Sequence, residues 1–137
     1  GDIATATYQD GTTIVLVHSD ANELNLPMMV LVNGNTASAA ELFTASLKDF
    51  GKAEVIGEQT FGKGIMQNTF ELPDGGAVTL TVATYQTTKG ECYHGVGITP
   101  DVIMEEDYEK VDFDHPNPEQ DAQLKQAMEL LQSKINS

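Results

Sequence analysis

The strongest constraint on the fold is the succession of an apolar run, a helical stripe and a second apolar run. Met28-Met-Val-Leu-Val32 is continuously apolar, the pattern of a strand buried on both faces. Asn33-Gly-Asn35 supplies a tight turn. Beyond it, Ala39, Leu42, Phe43, Ser46, Leu47 and Phe50 fall at i, i+3, i+4, i+7, i+8 and i+11. This predicts a helix with that stripe against the core and Gly51 at its end. Ala53-Glu-Val-Ile56 is the second run. Strand, helix and strand in this order make a βαβ unit with parallel strands and a right-handed crossover, so the fold class is α/β.

The flanking segments add antiparallel structure. Asp2–Tyr8 and Thr12–Val17 are β-rich runs joined through Asp10-Gly11, and Ile65–Phe70 and Ala77–Tyr85 are joined through Pro73-Asp-Gly-Gly76. Each pair predicts a hairpin. Residues 86–104 read as an ordered loop with a short strand near Val102. An acidic stretch from Glu105 to Asp121 leads into a final helix. Asn117 is its expected N-cap, Pro118 its first residue and Gln120 its capping-box partner, with Leu124, Ala127, Met128, Leu131 and Ile135 as its apolar stripe. The expected architecture is a mixed sheet with two main helices.

Composition narrows the possible partners. At 137 residues the chain forms one domain, and 21 acidic against 7 basic residues give a net charge of −14 that repels nucleic acid and anionic lipid. The single cysteine, Cys92, cannot form an intrachain disulfide. No apolar run reaches the roughly 20 residues that cross a bilayer. The chain opens at Gly1 and enters a strand pattern at once, so we expect a piece of a longer protein whose targeting segment lies elsewhere.

Two residues stand out chemically: Ser38, in Gly34-Asn-Thr-Ala-Ser-Ala-Ala-Glu41, and Lys63, in Thr60-Phe-Gly-Lys-Gly-Ile-Met-Gln67. A serine nucleophile needs a base. Of the histidines, His18 lies in a hairpin, His94 in a glycine-rich loop and His115 in the acidic tail, and none has a local setting that suggests orientation by a carboxylate. A lysine base must first lose its proton, and an unperturbed lysine is neutral in only about one molecule in 2,500 at pH 7. Desolvation has to supply the difference, about 4 kcal/mol. Lys63, with Phe61, Ile65 and Met66 around it, is the best placed of the basic residues. The plainer alternatives are that Ser38 caps its helix through the Ser-x-x-Glu box and that Lys63 is an ordinary surface lysine. Backbone N–H groups at the same helix start can also hold an oxyanion.

Other motifs are weaker. Gly57-Glu-Gln-Thr-Phe-Gly62-Lys63 matches the first seven positions of a phosphate-binding loop, but Gly64 replaces the magnesium-ligating Ser or Thr, and a strand pattern follows where a helix is required. Asp112/Asp114 and Glu105/Glu106 lack the spacing of a calcium loop and read as a solvated linker. Ser46 falls in the apolar stripe and reads as packed.

Taken in order, Leu26-Pro-Met-Met-Val-Leu-Val-Asn-Gly34, Thr36-Ala-Ser-Ala-Ala-Glu41, Val55-Ile-Gly-Glu-Gln-Thr-Phe-Gly-Lys-Gly64, Leu72-Pro-Asp-Gly-Gly76 and Gly95-Val-Gly-Ile-Thr-Pro-Asp101 resemble the C-terminal processing peptidases, or tail-specific proteases. The resemblance implies the C-terminal part of a ClpP/crotonase-like peptidase core, with Ser38 as nucleophile, Lys63 as general base, Gln67 orienting the lysine and the Ala39 N–H as one oxyanion donor. It implies no metal or cofactor, substrates that are protein C-termini with apolar ends, and a parent acting outside the cytoplasm, in the periplasm or cell envelope. The family's second oxyanion donor sits in an Asn-Pro-Gly-Gly type motif, and its substrate-capturing PDZ domain precedes the catalytic segment; neither is in this sequence. Gly90-Glu-Cys-Tyr-His94 departs from the family, where a basic residue is common. The chain is therefore expected to be inactive alone and to expose a face through which it self-associates. The alternatives are a non-catalytic ligand- or peptide-binding module of the same fold and, more remotely, a nucleotide-binding protein.

Overall fold

A computed structural model describes residues 1–136. Strand β1 (Asp2–Tyr8) pairs antiparallel with β2 (Thr13–His18) across the Asp10-Gly11 turn, where the Thr12 N–H donates to the Asp10 carboxylate at 2.8 Å. β3 (Met29–Val32), α1 (Ala39–Asp49) and β4 (Glu54–Gly57) form the βαβ unit, with Val30 beside Val55 and Leu31 beside Ile56 in parallel register. β5 (Ile65–Glu71) and β6 (Ala77–Thr87) make the second hairpin, β7 (Val102–Ile103) is a short strand, and α2 (Ala122–Ile135) closes the chain.

The α/β class and the two helices agree with the sequence reading. Parallel and antiparallel pairings fall into separate sheets, ordered β2-β1-β6-β5 and β3-β4-β7. The long strand β6 is paired on both edges, by β1 and β5, and β4 by β3 and β7, so neither has an edge left to join the sheets. α1 bridges them instead, packing on β4 from one sheet and on β1 and β6 from the other.

Each helix departs from its sequence reading. α1 ends as expected: the Lys52 N–H bonds to the Leu47 carbonyl and the Gly51 N–H to that of Lys48, a Schellman closure with Gly51 at φ 66°. Its buried face, however, is Glu41, Thr44 and Ala45, and the expected core stripe lines an open groove of about 690 Å³, with Phe43 63 % exposed. Ser46 lines this groove too, its hydroxyl bonded back to the Leu42 carbonyl. The core under α1 is built from small residues, Ala6, Ala45 and Ala83, with Tyr85, Tyr93 and Ile98, so close approach rather than bulk selects the inward face.

α2 starts later than predicted. Asp121 is its N-cap, accepting from the Leu124 N–H at 2.7 Å, while Asn117 holds a separate turn through Glu119 and Gln120. The Gln123 N–H donates to Glu106 and its side-chain amide to the Met104 carbonyl. These ties fix where the helix begins. Ala127 is buried and Leu124 and Leu131 half-buried, but Met128 and Ile135 are exposed.

Candidate active site

Ser38 occupies the N-cap of α1 with φ 58° and ψ −121°, the one non-glycine residue with positive φ among those described. An L-residue held there stores about 1–3 kcal/mol, which the surroundings must over-determine. They do so through Glu41. Its fully buried carboxylate accepts the Ser38 N–H at 2.9 Å, the Thr60 hydroxyl at 2.5 Å, the Gly62 N–H at 2.7 Å and the Lys63 N–H at 2.8 Å. One carboxylate thus ties the serine turn to the lysine loop, with enough donors to compensate its burial.

The lysine loop is clamped from its other side. Thr60 and Ile98 exchange bonds, Thr60 N–H to the Ile98 carbonyl at 3.2 Å and Ile98 N–H to the Thr60 hydroxyl at 2.7 Å. Gly62 has φ 89°, and a Cβ there would lie 2.8 Å from the Gly97 nitrogen, so only glycine fits between the two loops. These contacts also dispose of the phosphate-loop reading. The Gly62 and Lys63 amides point at Glu41 rather than outward, and strand β5 follows.

Tyr85, on β6, closes the arrangement. Its hydroxyl lies 3.1 Å from Ser38 Oγ and donates to the Lys63 carbonyl at 2.8 Å. Its ring is packed edge-on against Tyr93, centroids 6.1 Å apart. Burial, then proximity to Tyr85 and Glu41, pushes the Tyr93 phenol well above its ordinary 10.0, so Tyr93 stays neutral.

Ser38, Ala39, Lys63, Gln67 and Tyr85 line one open cavity of about 340 Å³ with Leu16, Leu42, Ile65 and Met66. Three consecutive β5 residues reach it because the β5–β6 register slips between Met66 and Gln67, a bulge that breaks the two-residue alternation of the strand. The basic residues are all lysines. Lys48, Lys52, Lys110, Lys125 and Lys134 pair with carboxylates, and Lys89 lies over the Phe50 ring. Among the described residues, only the Lys63 ammonium has no hydrogen bond, ion pair or ring contact.

The histidines need a correction. His18 contacts Asp2 at 2.9 Å and His115 contacts Asp112 at 3.2 Å, so two of them do have carboxylate partners. Both pairs are solvent-exposed and away from the Ser38 cavity. His94 Nδ1 sits 3.2 Å from the Gly62 carbonyl, and the segment that departs from the expected family pattern thereby packs on the lysine loop. Among the described residues, no group of three or more His, Cys, Asp or Glu side chains converges to hold a metal.

Sequence reasoning missed two residues of this site. Glu41 was visible as a capping-box partner, but its reach to Thr60, Gly62 and Lys63 crosses between elements. Tyr85 had no local signal at all, being one aromatic at the end of an alternating strand.

Ser38, at the helix start of a βαβ unit, and Lys63, on the loop that follows it, thus face one cavity of an α/β fold. The model for peptidase family S41 matches residues 2–104, and the chain belongs to that family. A carboxyl-terminal-processing protease of Picosynechococcus sp. is 42% identical over 77% of this chain and 25% of its own length. A carboxy-terminal processing protease of Bacillus subtilis is 41% identical over 82% of this chain and 24% of its own. Among solved structures, the photosystem II D1 C-terminal processing protease superposes with a TM-score of 0.69 at 36% identity, over 77% of this chain and 28% of that one. The chain spans about a quarter of the length of these relatives.

Proposed function

We propose that this chain is the nucleophile-bearing part of a serine endopeptidase that cleaves protein substrates near their C-termini. Ser38 is the nucleophile and Lys63 the general base. Neutral Lys63 Nζ takes the Ser38 proton as Oγ attacks the scissile carbonyl carbon, and the oxyanion that forms is held by the Ala39 N–H at the start of α1. The lysine ammonium then gives its proton to the leaving amine. An acyl-enzyme remains, which water hydrolyses with Lys63 again as base. Gln67, on the same cavity, orients the lysine amine. Water in the open cavity and an incomplete oxyanion site leave residues 1–137 inactive alone. The complete protein acts outside the cytoplasm.

What supports this reading is the meeting of Ser38 and Ala39 with Lys63, the one lysine whose ammonium has no hydrogen bond, ion pair or ring contact among the described residues, around one cavity. The test is proteolysis of an unfolded protein by the full-length protein, compared with Ser38→Ala and Lys63→Ala. Both variants should keep their circular dichroism and lose activity by about 10³-fold or more. Activity that survives Lys63→Ala returns Ser38 to the role of a helix cap. Peptide binding without cleavage in the unaltered protein points to the non-catalytic module.

A further inference from the structure

Hydrogen-bond accounting at Ser38 leads beyond the roles just assigned. The Tyr85 hydroxyl carries one proton, and a backbone carbonyl only accepts, so that proton belongs to the 2.8 Å bond with the Lys63 carbonyl. In the 3.1 Å contact between the two hydroxyls Tyr85 must then accept and Ser38 donate. The serine also has one proton, and it points at Tyr85. In this state nothing remains for Lys63 Nζ to take.

Tyr85 is held rigidly. It is 7 % exposed, its N–H bonds to the Gly64 carbonyl at 3.0 Å, and its ring packs in the core with Ala6, Ala45, Ala83 and Tyr93. Ser38, by contrast, is half-buried at the cavity wall, and rotation about one bond frees its hydroxyl.

We propose that Tyr85 is a positioning residue that latches Ser38 in a resting state, in which its proton is directed away from the base, and that the serine must leave Tyr85 before Lys63 can activate it. This rests on the reading of Ser38 as the nucleophile. The latch is reinforced by Lys63 itself, whose carbonyl orients the tyrosine hydroxyl. The loop that carries the base therefore also holds the nucleophile at rest, and a substrate that displaces the Lys63 peptide would unlatch the serine and engage the base in one movement.

One neutral hydrogen bond competes with the reactive geometry, so its removal raises the reactive fraction about 2- to 10-fold. The experiment measures the second-order rate of Ser38 labelling by a fluorophosphonate probe in the full-length protein, from pH 7 to 10. Tyr85→Phe is one variant. A second places 4-fluorophenylalanine at position 85, keeping the ring and most of the hydroxyl's volume in case phenylalanine packs poorly. Both should label about 2- to 10-fold faster than the unaltered protein at every pH, with the midpoint of the pH profile unmoved. A rate equal to or below the unaltered protein's in a variant with native circular dichroism overturns the latch and leaves Ser38 a nucleophile. Absence of labelling in the unaltered protein and in Ser38→Ala alike removes the nucleophile reading, and the latch with it.

Discussion

The inner strand β4 of the parallel sheet and the outer strand β2 of the antiparallel sheet bury their residues to very different extents. Val55 and Ile56 of β4 are fully buried and Val32 of β3 nearly so, under α2 on the one hand and the α1 crossover on the other. In the antiparallel sheet every residue of β2 is exposed, including Ile14, Val15, Leu16 and Val17, and the apolar stripe of α1 is open beside it. β4, like the inner strands β1 and β6, is built into buried structure. The outer strand β2 and the stripe beside it present apolar surface of the kind that is covered by a partner or by more protein. The candidate site lies at the join, its strut Glu41 on the buried side and its cavity wall reaching Leu16 on the exposed side.

The contrast can be broken hardest at the join. Glu41→Ala leaves the Ser38, Gly62 and Lys63 amides and the Thr60 hydroxyl without their acceptor, and should destabilise the chain by about 3–5 kcal/mol in urea unfolding. A loss below about 1 kcal/mol would mean the strut is dispensable.

A smaller effect is expected where α1 meets the segment leading to β7. Burial works to raise the Asp101 pKa, but hydrogen bonds from Lys48 and the Val55 N–H, with the lysine charge, outweigh it and hold the carboxyl below its ordinary 3.8. A carboxyl lowered on folding contributes stability above its unfolded pKa and loses it as pH falls through the folded one. Asp101→Asn should therefore weaken the chain at neutral pH and flatten the decline in stability below about pH 4, read from melts between pH 2 and 7. Identical pH slopes in the two proteins would show that the pair does not form.

The least costly change is on the open side. Leu16→Lys should alter stability by under about 0.5 kcal/mol, because the residue is already exposed, and should reduce self-association in sedimentation velocity. Unaltered protein that sediments as a monomer at high concentration would show that this face does not join copies.

Much of this was legible residue by residue. Asp-Gly at Asp10-Gly11, the apolar runs around Val30 and Val55, and Gly51 after the stripe are local signals that fix hairpin, strands and helix end, and each is observed close to where it was read. Asn117 failed as a cap because Asp121 and the Gln123 ties to residues 104 and 106 decided the start of α2 from outside it. The α1 stripe failed as a core face because periodicity identifies an apolar side without saying what will cover it. For the candidate site, Ser38 and Lys63 could be singled out because local motifs mark them, and Gln67 because the family resemblance implies it. Tyr85 could not, since its contacts to Ser38 and Lys63 join residues far apart in sequence.

By itself the sequence determined the elements, their order, the α/β class and the chemically capable side chains, because propensity, periodicity and turn chemistry act over a few neighbouring residues. Tertiary structure alone decided which face of α1 is buried, how the strands divide into sheets, and that Glu41 and Tyr85 join the serine to the lysine loop. Those outcomes depend on hydrogen bonds and close contacts between distant segments, whose geometry exists only once the chain has folded.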